Sequence, residues 1–393
     1  MKNSSENWVI VGGGIHGVHL AVRLIGEAKV DPARLRIVDP GPGLLHAWHR
    51  CSANTGMSFL RSPAVHHLDL DPWSLRQFAK TRSGSKLLFK RPYDRPSVEL
   101  FADHCNHVID RFGLRELQVR DSASRIEIQC DRARVHLRDS NPLEAHRIIL
   151  AMGASNRPVW PTWASALRRG GALVHHVFEA GLRLDPKAWP NRVAVIGGGI
   201  TACQVALRFA ATGRTVHLVS RHALRKHQFD SDPGWLGPKH MWRYSRIRDP
   251  KMRRRAIDTA RLSGSAPPDV LRRLNLAIAR GDIVQHQGQC TARLAEDGLC
   301  VTVGTSRVHV DGVLLATGFA SRRPGGTLVD ELVQSHALPC ADCGYPIVDS
   351  NLRWHPRVYV TGPLAELEIG PISRNIAGAR RAADRIVRLR GTA

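Results

Sequence analysis

The chain of 393 residues lacks any apolar run that approaches the length of a membrane-spanning helix. Its first residues also lack the apolar segment of a secretory signal peptide. We therefore expect a cytoplasmic protein that has no membrane partner. Acidic side chains are scarce as well, since 34 Asp and Glu stand against 57 Lys and Arg and the formal net charge is +23.

This basic charge raises the possibility of a nucleic-acid partner. The Arg residues are spread over the whole chain, however, and only Arg253-Arg254-Arg255 forms a short run. A solvated, Arg-rich surface explains such a distribution better than a nucleic-acid interface does. The charge should still favour anionic ligands, such as the phosphates of a dinucleotide.

The eight cysteines are too scattered to indicate a disulfide framework. Two of them, Cys340 and Cys343, have the C-x-x-C spacing of a redox pair. They lie in a segment rich in Pro and Gly, and not at a helix N-terminus that would lower a thiol pKa. Neither they nor the polar loop of His66, His67 and Asp69 has the ligand spacing of a metal site, so we expect no metal.

The dominant motif begins near the N-terminus. An apolar run from Trp8 to Val11 leads into Gly12, Gly14 and Gly17, which fit G-x-G-x-x-G, and a helical pattern follows. In such a unit the first glycine permits the turn, the second lets a pyrophosphate approach the backbone, and the third lets helix and strand pack. About twenty residues later, Asp39 ends a second apolar run, where a carboxylate would hold a ribose hydroxyl.

The same pattern returns in the middle of the chain. The apolar run 193–196 precedes Gly197, Gly199 and Ala202, which fit G-x-G-x-x-A. The run 215–219 corresponds to the second strand of this copy. At the position of Asp39 this copy has Ser220-Arg221. A carboxylate there would repel a 2′-phosphate and an Arg would bind it, so the second unit should hold NADPH. A solvent-exposed Arg without a ligand is the alternative for Arg221.

These observations predict an α/β fold with two Rossmann-like dinucleotide-binding domains, the second inserted into the first. The predicted boundaries are 1–155 for the first part of the first dinucleotide-binding domain, 156–190 for a crossover, 191–320 for the NADPH-binding domain and 321–393 for the C-terminal part of the first domain, which the resemblance described next identifies as FAD-binding.

The motifs carry a resemblance to two-domain flavoproteins that bind FAD and NAD(P)H. Within these, the chain most resembles the class B flavin monooxygenases and their lysine/ornithine N-hydroxylase family. The segments that carry this resemblance are Trp48-His49, Met57 to Arg61, Asp71-Pro72, Arg95 to Phe101, Ala316-Thr317-Gly318-Phe319 and Thr361-Gly362. The family's loop of amino-acid-binding polar residues is replaced around 230–240, so ornithine or lysine does not carry over as substrate.

The resemblance implies FAD and NADPH as cofactors and a small-molecule substrate with O₂ as the partners. Flavin would be reduced by NADPH and would react with O₂ to a C4a-hydroperoxide, which a neutral amine would attack. Trp48, His49, Met57 and Ser58 would reach the flavin ring, or else only pack in the core. Thr317 and Gly318 belong to the second linker motif.

At the far end of the chain, Gly362 and Gly370 lead toward a helix that begins near Asn375. Such a helix could direct its N-terminus at the flavin pyrimidine, although simple packing on the sheet is the alternative.

Two other functions stay open. The first is a flavoprotein reductase that passes electrons to a disulfide or protein acceptor through Cys340 and Cys343. The second is a non-catalytic sensor of flavin or NADPH, against which two dinucleotide units on one chain argue. The sequence leaves the oligomeric state unknown.

Overall fold

The structure is a computed structural model that describes residues 6–82, 87–154 and 157–388. The predicted boundary between 155 and 156 therefore lies outside the described residues. In chain order the strands are β1 Trp8–Val11, β2 Leu35–Val38, β3 Phe89–Lys90, β4 Arg95–Pro96, β5 Gln118–Val119, β6 Ala123–Ile128, β7 Ala133–Leu137, β8 Leu143–Ala145, β9 Arg147–Leu150, β10 Val174–His176, β11 Arg192–Ile196, β12 Thr215–Ser220, β13 Arg225–Lys226, β14 Ser265–Ala266, β15 Ile283–Gln287, β16 Cys290–Ala295, β17 Gly298–Val303, β18 Ser306–Val310, β19 Gly312–Leu315, β20 Arg353–His355 and β21 Val358–Val360.

Helices cover the sheets and connect their strands. In chain order they are α1 Ile15–Gly26, α2 His46–Thr55, α3 Ser74–Lys80, α4 Val98–Arg111, α5 Thr162–Arg169, α6 Ile200–Ala210, α7 Pro238–Tyr244, α8 Pro250–Ala260, α9 Pro268–Ala279, α10 Gly326–His336, α11 Glu366–Ile369 and α12 Ile376–Val387. None of the helices in the described ranges is long and apolar enough to cross a membrane.

The first parallel sheet has the strand order β20-β21-β9-β1-β2-β5, and only the β20–β21 pair is antiparallel. Its central strand β1 is fully apolar and buried, as expected for a strand covered on both faces. β21 comes from the C-terminal part of the chain and pairs with β9. The chain therefore leaves this sheet, builds a second one and returns.

The second sheet is entirely parallel in the described part of the chain, with the order β10-β19-β11-β12-β15. Its central strand β11 runs between β12 and β19, just as β1 runs between β2 and β9. This is the doubly wound arrangement in which ligands bind beyond the carboxyl ends of the strands. The predicted fold class, two Rossmann-like units in an α/β chain, is confirmed.

The predicted crossover at 156–190 differs from a plain connection. It contains α5 and β10, and β10 pairs with β19 at the edge of the second sheet. Four prolines interrupt this segment, and a strand of three residues is too short to show a clear alternation. The rest of the domain division stays a prediction.

Small antiparallel sheets lie beside the two parallel ones, as β6-β7-β8 and β16-β17-β18. The sequence alternation from Ile283 to Val310 predicts one meander over this whole stretch. The structure instead places its first part, β15, in the second parallel sheet. β15 is an edge strand whose side chains are mostly exposed. Its mixture of apolar and polar residues therefore resembles that of a meander strand.

Candidate functional site

The first glycine motif forms the turn between β1 and α1. Gly12 has φ +114° and donates its N–H to the carbonyl of Val38 at 2.8 Å. A Cβ at this position would lie 2.7 Å from the carbonyl oxygen of Ala151, and a Cβ at Gly17 would collide with the carbonyl oxygen of Gly12. Glycine is therefore required at both positions for the packing of strand and helix.

Gly14 is free of such contacts. It is the N-cap of α1, it receives no side-chain cap, and no atom lies within 4 Å of a Cβ built on it. The N-terminus of α1, the positive end of its helix dipole, therefore has no side-chain cap and has open space beside Gly14. This is the geometry that accepts a phosphate, so the residues present fit a dinucleotide pyrophosphate.

Asp39 closes this first cradle. Its Oδ2 accepts a hydrogen bond from Gly13 N at 2.7 Å and its Oδ1 accepts one from Gly41 N at 2.8 Å. The carboxylate thus holds both glycine turns in place. Each oxygen retains a further lone pair, so the ribose-binding role predicted for Asp39 is compatible with this geometry.

The second cradle has the same backbone arrangement as the first. Gly197 donates its N–H to Val219 O at 2.8 Å, as Gly12 does to Val38, and its Cβ would collide with Ala316 O. Gly199 is the N-cap of α6 and also lacks a side-chain cap. Ala202 is fully buried at the position of the third glycine.

The residue that closes the second cradle differs from that of the first. A Cβ at Gly13 would lie 3.0 Å from Asp39 Cβ, and a Cβ at Gly198 would lie 3.3 Å from Ser220 Cβ. Ser220 is therefore the spatial counterpart of Asp39. Its hydroxyl is buried without a hydrogen-bond partner among the described residues, and Arg221 beside it is exposed.

Arg221 gives a direct test of the nucleotide preference. A guanidinium that binds a 2′-phosphate by charge-assisted hydrogen bonds contributes about 1.5–3 kcal/mol, or roughly tenfold or more in affinity. We expect Arg221→Ala to raise the KM for NADPH by about this factor and to leave the KM for NADH nearly unchanged. Steady-state oxidation of the two nucleotides measures both constants. Equal changes in both would contradict a role in reading the 2′-phosphate.

A histidine that sequence reasoning missed lies at the first cradle. His16 Nδ1 is 2.9 Å from Thr361 Oγ1, and its buried Nε2 has no hydrogen-bond partner within the described ranges. Burial lowers the pKa of His16 to about 4, so the ring is neutral at pH 7. Its place inside the glycine motif, just before Gly17, is the signal that could have pointed to it.

Gly362 and Gly370 lie in the segment that returns to this cradle. Gly362 has φ +65°, and a Cβ on it would lie 3.6 Å from the His16 ring. Gly370, at φ +87°, instead faces Tyr244 and Met241 of α7. The helix predicted near Asn375 is α12, and Asn375 caps it by accepting from Gly378 N at 2.9 Å. Gly362 therefore lies at the first cradle, whereas Gly370 lies under the second domain.

Comparison with known proteins decides the family. A family model described as pyridine nucleotide-disulphide oxidoreductase matches residues 6–232, which includes both glycine motifs. The chain belongs to this family. A search of curated protein sequences finds no match.

Solved structures show the same fold over the full length of the chain. The FAD-bound cadaverine monooxygenase DfoA of Erwinia amylovora is 15% identical with a TM-score of 0.74, covering 99% of this chain and 95% of that one. An ornithine N-hydroxylase of Kutzneria sp. 744 is 18% identical with a TM-score of 0.74, covering 98% and 99%. A bacillithiol disulfide reductase of Bacillus cereus is 16% identical with a TM-score of 0.64, also covering 98% and 99%.

The family establishes a flavin-dependent oxidoreductase whose cofactors are FAD and NAD(P)H. The prediction of FAD and a nicotinamide dinucleotide as cofactors is thereby confirmed. At these identities the solved structures show the fold alone. They include both monooxygenases and disulfide reductases, and so leave the reaction to be argued from this chain's residues.

Four residues predicted near the flavin lie beyond the first cradle. Trp48 and His49 belong to α2 and are half-buried, and Trp48 packs on Phe101 with ring centroids 5.1 Å apart. Met57 packs against the core and Ser58 is exposed. Their partial exposure is compatible with flavin contact, which stays a prediction.

Thr317 and Gly318 lie where the chain crosses back from the second sheet. Gly318 O accepts from Val159 N at 2.9 Å, and Thr317 Oγ1 donates to Val159 O at 2.6 Å. The outgoing and returning crossings are therefore hydrogen-bonded to each other. These hydrogen bonds join the two segments that connect the parallel sheets. A role for Thr317 or Gly318 in cofactor binding stays a prediction.

The thiols of the C-x-x-C pair are both free. Cys340 is half-buried, and burial raises its pKa although Arg323 opposes this shift. Cys343 is exposed and interacts with the Arg254 guanidinium. They lie on a tight hairpin in which Ala341 N donates to Tyr345 O at 2.9 Å.

Proposed function

We propose that this protein is an FAD-dependent, NADPH-using monooxygenase that hydroxylates an amine-type small molecule. The observation that carries the proposal is the pair of matching cradles with different closing residues. Asp39 suits an unphosphorylated adenosine ribose, as in FAD, and Ser220-Arg221 suits the 2′-phosphate of NADPH. A flavoprotein that is reduced by NADPH and then hydroxylates its substrate would use both nucleotides on one chain.

When bound, FAD would accept a hydride from NADPH and activate O₂, and the protein would supply position and shielding. The N-terminus of α1 would hold the pyrophosphate at Gly14. The neutral His16 ring would offer Nε2 as a hydrogen-bonding group without adding a charge at the cradle. Trp48 and Met57 would exclude water from one side of the site.

Two half-buried cysteines, Cys51 and Cys340, favour oxygenation over disulfide exchange. Thiol–disulfide exchange requires a thiolate. Burial raises the pKa of Cys51, which lies in α2 and packs against the core of the second domain, and burial likewise raises the pKa of Cys340. Both thiols are therefore protonated at neutral pH and are poor nucleophiles.

Product analysis tests this proposal. The FAD-loaded protein should oxidise NADPH in air, and a panel of amines should include one that is converted to its hydroxylamine. The test measures hydroxylamine by mass spectrometry and H₂O₂ as the uncoupled product. NADPH oxidation that depends on a disulfide acceptor and yields no hydroxylamine with any amine would contradict the proposal.

The second candidate is a reductase of small disulfides, and the position of Cys343 favours it. This thiol is exposed, neighbours the Arg254 guanidinium and lines an Arg-rich cavity. Cys343→Ser and Cys340→Ser should then each abolish NADPH-dependent reduction of a disulfide. Cys130→Ser, which changes another exposed thiol, is the matched control. Under the monooxygenase proposal all three variants retain hydroxylation.

A further inference from the structure

A cavity of about 530 Å³ lies between the second domain and the C-terminal part of the first. α8 contributes Arg254 and Asp258 to its wall, and Arg261 follows directly at the C-terminal end of this helix. The returning crossing contributes Phe319 and Arg322. The remaining lining residues are Ser263, Ser321, Cys343, Tyr345 and Arg374. None of the sequence motifs predicts this cavity, because its walls come from four separate stretches of the chain.

Positive charge exceeds negative charge in this wall. Arg254, Arg261 and Arg374 all pair with the single carboxylate of Glu366, at 2.6, 2.5 and 2.8 Å. Glu366 is fully buried. Asp258 is mostly exposed and lies 3.6 Å from Arg254. Three guanidinium groups thus share one buried acid and one loosely held acid.

The guanidinium groups also have more donors than Glu366 can satisfy. Each Arg carries five N–H donors, and the two oxygens of Glu366 accept from only a few of them. The N–H donors that Glu366 leaves without a carboxylate partner suit an added anion in the cavity.

The cavity lies beside both cradles. Ser263 of its wall precedes Gly264, whose Cα is 3.7 Å from where a Cβ at Gly199 would be. Arg374 precedes Asn375, which caps α12 and whose backbone lies beside His16. Residues of the cavity wall are therefore directly followed in the chain by residues at both cradles.

We propose that this cavity binds the acidic end of the substrate, and that the substrate is an amine with a net negative charge. This inference rests on the proposed function for the identification of the ligand as substrate. The excess of guanidinium groups attracts carboxylate or phosphate oxygens and repels a diamine. Simple diamines and basic amino acids are therefore disfavoured as substrates.

Calorimetric titration of the FAD-loaded protein tests this with three probes of similar length. L-2-aminoadipate is a net anion, L-lysine a net cation and cadaverine a dication. L-2-aminoadipate should bind about tenfold or more tightly than either of the others. Arg254→Gln should weaken its binding by about tenfold. Arg255→Gln, on the same helix but exposed and outside the cavity, should leave its Kd unchanged.

Titrations with saturating NADP⁺ show whether the cavity binds an anionic group of the substrate or the phosphates of the nucleotide. If NADP⁺ displaces L-2-aminoadipate and Arg254→Gln weakens NADP⁺ itself, the cavity holds nucleotide phosphates and the proposal is overturned. Tighter binding of cadaverine, equal effects of both variants, or no binding of any probe would also overturn it. Arg322→Gln, whose side chain is 65% exposed, replaces Arg254→Gln if the latter fails to fold.

The binding readout does not depend on catalysis. If L-2-aminoadipate binds in the cavity but no amine is hydroxylated, the result supports the anion site and contradicts the proposed monooxygenase function. If hydroxylation occurs but cationic amines are the better ligands, the function stands and the inference falls.

Discussion

Gly14→Ala should yield a folded protein that is purified almost without flavin. A Cβ at Gly14 meets no protein atom within 4 Å, so the apoprotein has room for it. The same space is where the pyrophosphate would approach the N-terminus of α1. We expect the bound FAD per chain to fall by about tenfold or more, as measured by absorbance after gel filtration and by the Kd on reconstitution.

Gly237→Ala is the matched control. Gly237 is also the N-cap of a helix, α7, without a side-chain cap, and a Cβ there also meets no atom within 4 Å. Any loss of helix capping from glycine to alanine is therefore common to both variants. Flavin content in Gly237→Ala should equal that of the wild type, and the two apoproteins should melt at similar temperatures.

Gly17→Ala should behave differently from both. Its Cβ would collide with the carbonyl oxygen of Gly12, so β1 and α1 cannot keep their packing, and a loss of soluble protein is expected. Full flavin content in Gly14→Ala would show that the pyrophosphate does not approach this residue, and the first cradle would have to be reassigned.

The cradles were predictable because their signals are local. The glycines, the preceding apolar strand and the following helix all lie within about twenty residues. At Gly12, Gly17 and Gly197 the structure shows that a side chain would collide with the backbone of a neighbouring segment. The contrast between Asp39 and Ser220-Arg221 was visible for the same reason, since both follow the second strand of their unit directly.

The arginine cluster around Glu366 could not be predicted in this way, because it depends on contacts between distant parts of the chain. Glu366 meets Arg254 and Arg261 more than 100 residues away, and no spacing rule connects them. The three residues of the run Arg253-Arg254-Arg255 have different surroundings in the structure. Arg253 pairs with Glu368, Arg254 pairs with Glu366, and Arg255 is exposed. Patterns of charge in the sequence could not show this division.

Glu366→Gln should destabilise the protein more than any other change of a single charge in this region. Removing the shared acid leaves Arg261 and Arg374 close together without this counter-charge, and leaves Arg254 with only the loosely held Asp258. Breaking a buried ion pair from one side costs about 3–5 kcal/mol. Chemical denaturation monitored by circular dichroism should show a loss of this size in the free energy of unfolding, and the exposed Glu331→Gln should show almost none.

The pH dependence of stability should report the same group. Burial raises the pKa of Glu366, but the charges of Arg261, Arg374 and Arg254 lower it by a larger amount. The pKa of Glu366 therefore lies below its usual value. The folded state therefore binds this proton less readily than the unfolded chain, so the contribution of Glu366 is complete above the unfolded pKa and is lost as pH falls through the folded pKa. Wild type should lose stability over this acidic range more steeply than Glu366→Gln. Parallel pH profiles for the two proteins would show that Glu366 is not the acid that balances the arginine cluster.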